Sequence, residues 1–268
     1  YLNMEWDIGN FKMFSNIGYR EQESRLPSTY TGTVGPQTLF DASRDDDRET
    51  FQAEVRFASQ FGGRAEFVTG AYYQSDETKF CVTQLVGFLD NFFLGTPSRF
   101  FNDNPLVLCN RQEAEAGAIF IDGTVDFTDR LHITGGFRLS AEKKKWAGRP
   151  RLNVFALDGA PTLADVNEPL DFANFDQYPT GVVRDHKTWT SPTYRVNLGY
   201  DMTDDIFGYV GYSRGFKSGG YNDQIGTQLN PITKLAARPT DPEIANSFEG
   251  GIRASVLDGS EPTGFCNG

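Results

Sequence analysis

Three cysteines are the residues of this chain whose chemistry is easiest to define. Cys81 and Cys109 both fall in one long connection, residues 76–113, whereas Cys266 stands apart near the last residues. Two thiols in one connection can close it with a disulfide if the compartment is oxidising. We therefore expect a Cys81–Cys109 disulfide that staples a loop, and two unpaired thiols in a flexible loop are the alternative.

The histidines and the acidic run offer little metal chemistry. His132 and His186 have no second His or Cys at ligand spacing. The acidic run at 45–47, followed by Glu49, lacks the spacing and the glycine of an EF-hand calcium loop. We expect no metal, no cofactor, a lumenal or solvated His132, and a solvated acidic loop that leads into a strand.

Phosphate binding and catalysis are excluded by spacing. The segment Gly-Phe-Lys-Ser-Gly-Gly at 215–220 superficially suggests a phosphate loop, but its lysine precedes the glycine pair and no helix follows. No serine has the context of a nucleophile elbow, and no carboxylate pair has a defined spacing. The formal net charge of −11 opposes nucleic-acid binding. The chain is predicted to be neither an enzyme nor a nucleic-acid-binding protein.

The elements that must position these residues are strands. Apolar and polar residues alternate with a period of two, most clearly at 131–142, and no stretch shows a helical period. The predicted strands are 1–8, 11–23, 48–59, 64–75, 114–127, 131–143, 189–202, 206–217 and 245–257. Twelve residues at roughly 3.3 Å each, tilted by about 40°, cover about 30 Å, which is enough to cross a bilayer.

The connections between these strands alternate between tight and long. Tight turns are predicted at 9–10, 60–63, 128–130, 203–205 and 258–259, and long connections at 24–47, 76–113, 144–188 and 218–244. In an up-and-down sheet, alternate connections lie at opposite ends, and outer-membrane barrels combine short periplasmic turns with long outer loops. The predicted fold class is therefore all-β: an antiparallel up-and-down transmembrane β-barrel, of which this chain supplies about nine strands.

One face of each strand is apolar and the other is polar. The polar face carries charges that a wet lumen would accept, whereas Arg or Lys on a lipid face would cost about 2–4 kcal/mol at mid-bilayer. The predicted inward charges are Glu54, Arg56, Asp122, Arg138, Arg195, Glu249 and Arg253. The predicted outer loops hold Tyr178, Trp189, Arg99, Phe100 and Phe101, which are candidates either for ligand contact or for packing within the loops.

Two linked segments resemble the barrel of TonB-dependent outer-membrane receptors. Residues 209–222 read Tyr-Val-Gly-Tyr-Ser-Arg-Gly-Phe-Lys-Ser-Gly-Gly-Tyr-Asn, and residues 242–253 carry the Pro-Glu…Ser-aromatic-Glu-x-Gly-x-basic pattern of the same family. The residues that carry the resemblance are Tyr212, Arg214, Gly215, Phe216, Lys217, Gly219, Gly220, Pro242, Glu243, Ser247, Glu249, Gly251 and Arg253. The two segments in this order make the resemblance specific.

The resemblance implies a receptor in the outer membrane of a Gram-negative bacterium. Such a receptor has about 22 strands around a plug domain and takes up a scarce nutrient, such as a ferric siderophore. Its implied partners are outer-membrane lipid, a small nutrient ligand, and an inner-membrane energy-transducing complex that acts through an N-terminal region. We expect residues 1–260 to be part of the barrel domain of a longer protein and 261–268 to be an irregular tail, without the plug.

Two other functions remain open at this stage. A passive porin-like channel would share the barrel but would conduct ions without energy coupling. A secreted β-sandwich binding module would be soluble and would show no heat-dependent gel mobility. Neither alternative accounts for the two linked segments.

Overall fold

The described strands form a single antiparallel sheet. The computed structural model describes residues 1–29, 40–85, 106–148, 183–222 and 239–255. Nine strands lie in these ranges, and each pairs with its neighbours in the chain. They are β1 Leu2–Ile8, β2 Phe11–Thr29, β3 Asp41–Ser59, β4 Ala65–Leu85, β5 Leu106–Asp126, β6 Leu131–Gly148, β7 Val183–Thr203, β8 Ile206–Lys217 and β9 Glu243–Ala254. This order confirms the predicted all-β meander, and the strands in these ranges form no second sheet of a sandwich. No described helix is long and apolar enough to cross a membrane.

The strands extend much further into the predicted long connections than the sequence suggests. The prediction of loops is wrong for segments that pair in register as parts of β2 to β7 and β9, namely 24–29, 41–47, 76–85, 106–113, 144–148, 183–188 and 243–244. The acidic run at 45–47 therefore lies within β3, and Trp189 lies within β7. Where both faces of a strand meet water, hydrophobic alternation fades although the backbone ladder continues.

The tight turns form as predicted at one end of the sheet. Gly9 and Gly62 adopt positive φ angles of 59° and 63°, which glycine reaches at little cost. Further turns join β5 to β6 over 127–130 and β7 to β8 over 204–205. The predicted turn at 258–259 and the predicted tail, with Cys266, lie outside the described residues. We refer to this side of the sheet as the short-turn end and to the opposite side as the long-loop end.

The apolar face of the sheet carries two groups of aromatic side chains. Near the short-turn end are Trp6, Phe11, Phe61, Phe67, Phe127 and Tyr200, and the ring centroids of Phe11 and Phe61 lie 5.3 Å apart. Further along the same strands are Tyr19, Phe51, Tyr73, Tyr194, Tyr212 and Phe248, with the Tyr212 and Phe248 rings 4.7 Å apart. An apolar band between two aromatic girdles is the exterior of a membrane barrel. We call the second group the upper girdle.

Candidate functional site

The opposite face of the sheet is polar and carries the charges predicted to point inward. The register aligns Asp122 of β5 with Gly136 of β6 and Arg195 of β7 in one row. Arg195 donates from Nε and Nη2 to the two carboxylate oxygens of Asp122, both at 2.8 Å. A Cβ on Gly136 would lie 2.2 Å from the Asp122 carboxylate. The glycine therefore lets a charged pair on alternate strands meet across the strand between them.

Arg138 presents a cation to the lumen without a carboxylate partner among the described residues. Its guanidinium carbon lies 5.5 Å from the centre of the Tyr72 ring and 5.8 Å from that of Phe120. Its Nε donates to Ser140 Oγ at 3.0 Å. Cation–π contacts of this kind hold a guanidinium in place while leaving its charge unneutralised. This part of the wall therefore offers a fixed positive charge.

His132 lies on the lumenal face at the short-turn end, between two carboxylates. Its Nδ1 is 2.6 Å from Asp126 Oδ1, and its Nε2 is 2.8 Å from Asp201 Oδ2. Both ring nitrogens can donate only in the imidazolium form. The described residues contain no group of three side chains able to hold a metal ion. Through these two contacts His132 links β6 to β5 and to β7.

A buried aromatic cluster occupies the lumenal face at the long-loop end. Trp146 of β6 and Trp189 of β7 are only 2% and 5% exposed. The ring of Tyr221, beyond the end of β8, stacks on Trp146 with centroids 5.9 Å apart and meets Trp189 edge-on at 6.5 Å. The chain after β8 therefore folds back across β7 to reach β6. Burial raises the pKa of Tyr221, and the nearby Asp185 carboxylate adds to this effect.

Two lysines flank this aromatic cluster. Lys144 Nζ lies 5.7 Å and Lys187 Nζ 5.5 Å from the centre of the Trp189 ring. Lys144 also donates to the Gly219 carbonyl oxygen at 2.8 Å and to Ser218 Oγ at 3.1 Å. Lys187 is more exposed than Lys144. Lys144 Nζ also lies 2.9 Å from Glu142 Oε1, and Lys187 Nζ lies 3.7 Å from Asp241 Oδ1. The long-loop end thus joins planar aromatic surface to two lysines for which an anionic ligand would compete with these carboxylates.

The glycine pair at 219–220 fixes the base of the last long connection. Thr240 N–H donates to the Gly220 carbonyl oxygen at 2.7 Å, and Gly220 N–H donates to Thr240 Oγ1 at 3.0 Å. A Cβ on Gly219 would lie 2.1 Å from the Thr240 carbonyl oxygen and 2.8 Å from the Trp189 ring. Only glycine permits this approach. The two ends of the connection are thereby tied to each other and to the wall.

The residues that carry the family resemblance gather on the β8–β9 hairpin and its connection. Tyr212, Arg214 and Phe216 lie on the apolar side, whereas Gly215, Lys217, Glu243, Ser247, Glu249, Gly251 and Arg253 lie on the lumenal side. Lys217 Nζ is 3.2 Å from Glu243 Oε1, and Tyr212 donates to Asn246 Oδ1 at 3.0 Å. Pro242 directly precedes β9. Their functional roles remain predictions.

Sequence reasoning did not find Trp146, Lys144, Tyr221 and Thr240 as parts of one site. They lie on β6 and on both ends of the connection after β8, so only the fold brings them together. Trp189, predicted to lie in an outer loop, lies within β7 and belongs to the same site. The other candidates for ligand contact, Tyr178, Arg99, Phe100 and Phe101, lie outside the described residues.

The two loop cysteines lie on adjacent strands. Cys81 is disulfide-bonded. The β4–β5 ladder places Cys109 directly opposite it in register. A bond between them would therefore link two paired strands and not close a free loop. Their pairing stays a prediction.

These observations define the class of protein: a sheet that is apolar outside between two aromatic girdles and charged inside is part of the wall of a membrane β-barrel. The family model described as "TonB dependent receptor-like, beta-barrel" matches residues 1–263, and the chain belongs to this family. The family consists of outer-membrane receptors and transporters of Gram-negative bacteria, not enzymes. Its members bind small ligands such as siderophores and interact with TonB.

Solved structures of similar fold come from the same class. The ferric yersiniabactin uptake receptor FyuA from Yersinia pestis is 19% identical with a TM-score of 0.64, over 95% of this chain and 32% of its own. The siderophore receptor PiuA from Acinetobacter baumannii is 15% identical with a TM-score of 0.61, and the match covers 95% of this chain and 37% of PiuA. The copper transporter OprC is 14% identical with a TM-score of 0.56, and the match covers 91% of this chain and 34% of OprC.

The chain thus spans about a third of the length of these receptors. At such identities the likeness shows the fold alone. Comparison with curated proteins gave no match.

Proposed function

We propose that this chain forms part of the wall of an outer-membrane receptor that takes up a small, scarce nutrient by energy-coupled transport. The observation that carries the proposal is the aromatic cluster of Trp146, Trp189 and Tyr221, flanked by Lys144 and Lys187 at the lumenal long-loop end. It lies where a ligand entering from outside would first meet the barrel wall. Aromatic surface beside two lysines would suit an anionic metal chelate, such as a ferric siderophore, that competes with Glu142 and Asp241 for them.

The energy coupling and the partners belong to the same proposal. In this family, uptake depends on a lumen-filling plug and on the inner-membrane energy-transducing complex. Residues 1–260 of this chain would contribute barrel wall to such a receptor. The polar lumenal face, with Arg138 and the Asp122–Arg195 pair, would face the plug, while the opposite face would contact outer-membrane lipid.

Uptake by the protein expressed from its complete gene tests the proposal. We would place that gene in a receptor-deficient Gram-negative host and measure import of ⁵⁵Fe supplied as ferric hydroxamate, ferric catecholate or ferric citrate. We expect import of at least one chelate that stops when the proton gradient is dissipated. Ion conductance in planar bilayers without any energised import would instead identify a passive channel and overturn the proposal.

Two lysine variants connect the uptake to the proposed site. Lys187→Ala removes the more exposed cation beside Trp189 and should lower uptake of an anionic chelate severalfold at limiting concentration. Lys79→Ala removes an exposed cation from the opposite face of the sheet and should leave uptake unchanged. Equal losses in both variants would show that the effect does not arise at the lumenal site.

A further inference from the structure

His132 stands where the backbone pairing of two neighbouring strands ends or is interrupted. Asp126 is the last residue of β5, and Asp201 borders a β-bulge in β7, where the register with β8 shifts before Thr203. A bulge leaves one residue unpaired and bends the strand. The imidazole of His132, near the start of β6, lies between these two positions and contacts both carboxylates. A side-chain link thus supplements the ladder at this point.

A glycine opposite His132 leaves room for the ring to reach both carboxylates. Gly199 pairs with His132, and a Cβ on Gly199 would lie 2.7 Å from the Phe207 ring and 3.8 Å from His132 Cβ. At 2.6 and 2.8 Å, both ring nitrogens are within hydrogen-bond distance of a carboxylate oxygen. An ionised carboxylate only accepts, so each bond needs a proton on the ring nitrogen. The two contacts are therefore complete only while the imidazole is protonated.

The other charged groups of this lumenal end do not contact the imidazole. Within the described ranges, Arg64 pairs with Asp129 and Arg130 pairs with Asp204, so the cations of the adjoining turns have carboxylates of their own. The remaining charged or titratable side chains nearby are Glu66 on β4, Asp205 in the turn after β7, Tyr209 on β8 and Arg253 on β9. Asp126 and Asp201 alone among the described residues bond to the ring.

Loss of the ring proton removes one of the two contacts. A neutral imidazole has a single N–H, so its other nitrogen presents a lone pair to a carboxylate oxygen. Aspartates in general stay ionised far above pH 4, so this repulsion persists until one carboxylate turns away. The side chains of His132, Asp126 and Asp201 are 33%, 49% and 39% exposed, so water can solvate the carboxylate that leaves. The link can therefore break without unfolding of the strands.

We propose that His132, Asp126 and Asp201 form a pH-sensitive clasp, which ties β6 to both neighbouring strands in mild acid and releases the end of β7 as the pH rises. We expect Asp126 to keep its bond, because that contact is the shorter one and the β7 ladder is interrupted beside Asp201. The inference goes beyond the proposed function and does not depend on which nutrient is imported. It makes the short-turn end of the wall most rigid in mildly acidic surroundings.

Hydrogen–deuterium exchange of the protein expressed from its complete gene tests the inference. The readout is the protection factor of peptides that cover residues 198–206, since this quantity corrects for the effect of pH on chemical exchange. In the wild type we expect the protection to fall about threefold between pH 6 and pH 9, a modest change because solvent screens the exposed contacts. His132→Gln has no titratable ring and should show equal protection at both pH values.

A matched control and a second variant separate the clasp from other titrations. His186→Gln removes the other histidine of this chain, which lies towards the long-loop end of β7, and should keep the pH dependence of the wild type. Asp201→Asn removes the carboxylate that we expect to be released and should abolish that dependence. Selective ¹⁵N labelling of histidine gives a direct readout: at pH 6 both ring nitrogens of His132 should be protonated, with the resonance assigned from its absence in His132→Gln.

The possible results separate this inference from the proposed function. Constant protection in the wild type, persistence of the pH dependence in His132→Gln, or its loss in His186→Gln overturns the clasp. A neutral His132 ring at pH 6 overturns it from the wild type alone, even where a variant does not fold. None of these results bears on uptake of a chelate. Conversely, a pH response of the expected form in a protein that imports no chelate supports the clasp while the proposed function fails.

Discussion

The two ends of this sheet follow different rules although the same strands run through both. Near the short-turn end, the two faces of a strand differ in polarity, as in β7, where Tyr200 and Leu198 lie on the apolar face and Gly199 and Asn197 on the other. Towards the long-loop end, both faces of the same strand are polar or charged, as at Lys143 and Lys144. The first region is organised by the bilayer, and the second is organised by pairing and by contacts with the connections.

This difference indicates what stability depends on in each region. In the membrane-facing region, the free energy depends on which face a residue occupies, since lipid and lumen demand opposite polarity. In the extended region, stability depends on a few buried anchors, above all Trp146 and Trp189, that join the strands to the following chain. The effect of a substitution on the free energy of unfolding should therefore depend on which face the residue occupies in the membrane-facing region. In the extended region it should depend on how the side chain packs.

The largest effect is expected from removal of a buried anchor. Trp189→Ala deletes the ring on which Lys144, Gly219 and Tyr221 all pack, and should lower the free energy of unfolding by about 3–5 kcal/mol. Chemical unfolding in detergent micelles would measure it. Phe248→Ala is the control, since that ring is 80% exposed on the apolar face. Similar losses of unfolding free energy in the Trp189 and Phe248 variants would show that Trp189 is no more important for stability than an exposed ring.

A charge placed on either face of one strand tests whether the apolar face contacts lipid and the polar face lines the lumen. Val196→Arg puts a cation on the apolar face and should cost about 2–4 kcal/mol if the residue lies near mid-bilayer. Asn197→Arg puts the same charge on the lumenal face, beside Glu249, and should be tolerated. Urea unfolding in phospholipid vesicles would compare them. A tolerated Val196→Arg would contradict the assignment of this face to lipid.

Two adjacent glycines allow a sharper test of the connection after β8. A Cβ at Gly219 would collide with Thr240 and Trp189, whereas a Cβ at Gly220 would have Lys144 Nζ as its nearest neighbour, 3.8 Å away. Gly219→Ala should therefore cost about 1–3 kcal/mol and expose the connection to protease, while Gly220→Ala should not. Limited proteolysis of intact cells would show the difference. Equal cleavage of both variants would argue against the close approach at Gly219.

The smallest effect is expected from the lumenal ion pair across Gly136. Asp122 and Arg195 are about half exposed, so solvent screens their attraction and a double-mutant cycle of Asp122→Asn and Arg195→Gln should give less than about 1 kcal/mol. Thermal unfolding of the four proteins would supply the cycle. A coupling above that value would mean that the lumenal wall is drier than its exposure indicates.

The membrane-facing half of each strand was predictable from the sequence, whereas the extended half was not. At 131–142 the apolar and polar residues alternate without exception, so the pattern alone identifies the strand. At 41–47 and 144–148 neither face excludes polar residues, and the sequence resembles a loop although the ladder continues. Glu243 was predicted to lie in the connection 218–244, but it begins β9 and pairs with Lys217.

What the sequence by itself determined is the alternation of faces, the alternation of short and long connections, and the family resemblance of the β8–β9 segments. All of these depend on neighbours in the chain or on a fixed spacing. Only the tertiary structure decided that Trp146, Trp189 and Tyr221 meet and that Asp122 reaches Arg195 across Gly136. These contacts join residues on different strands. They form only once the pairing register is set, because the register decides which residues of neighbouring strands lie side by side.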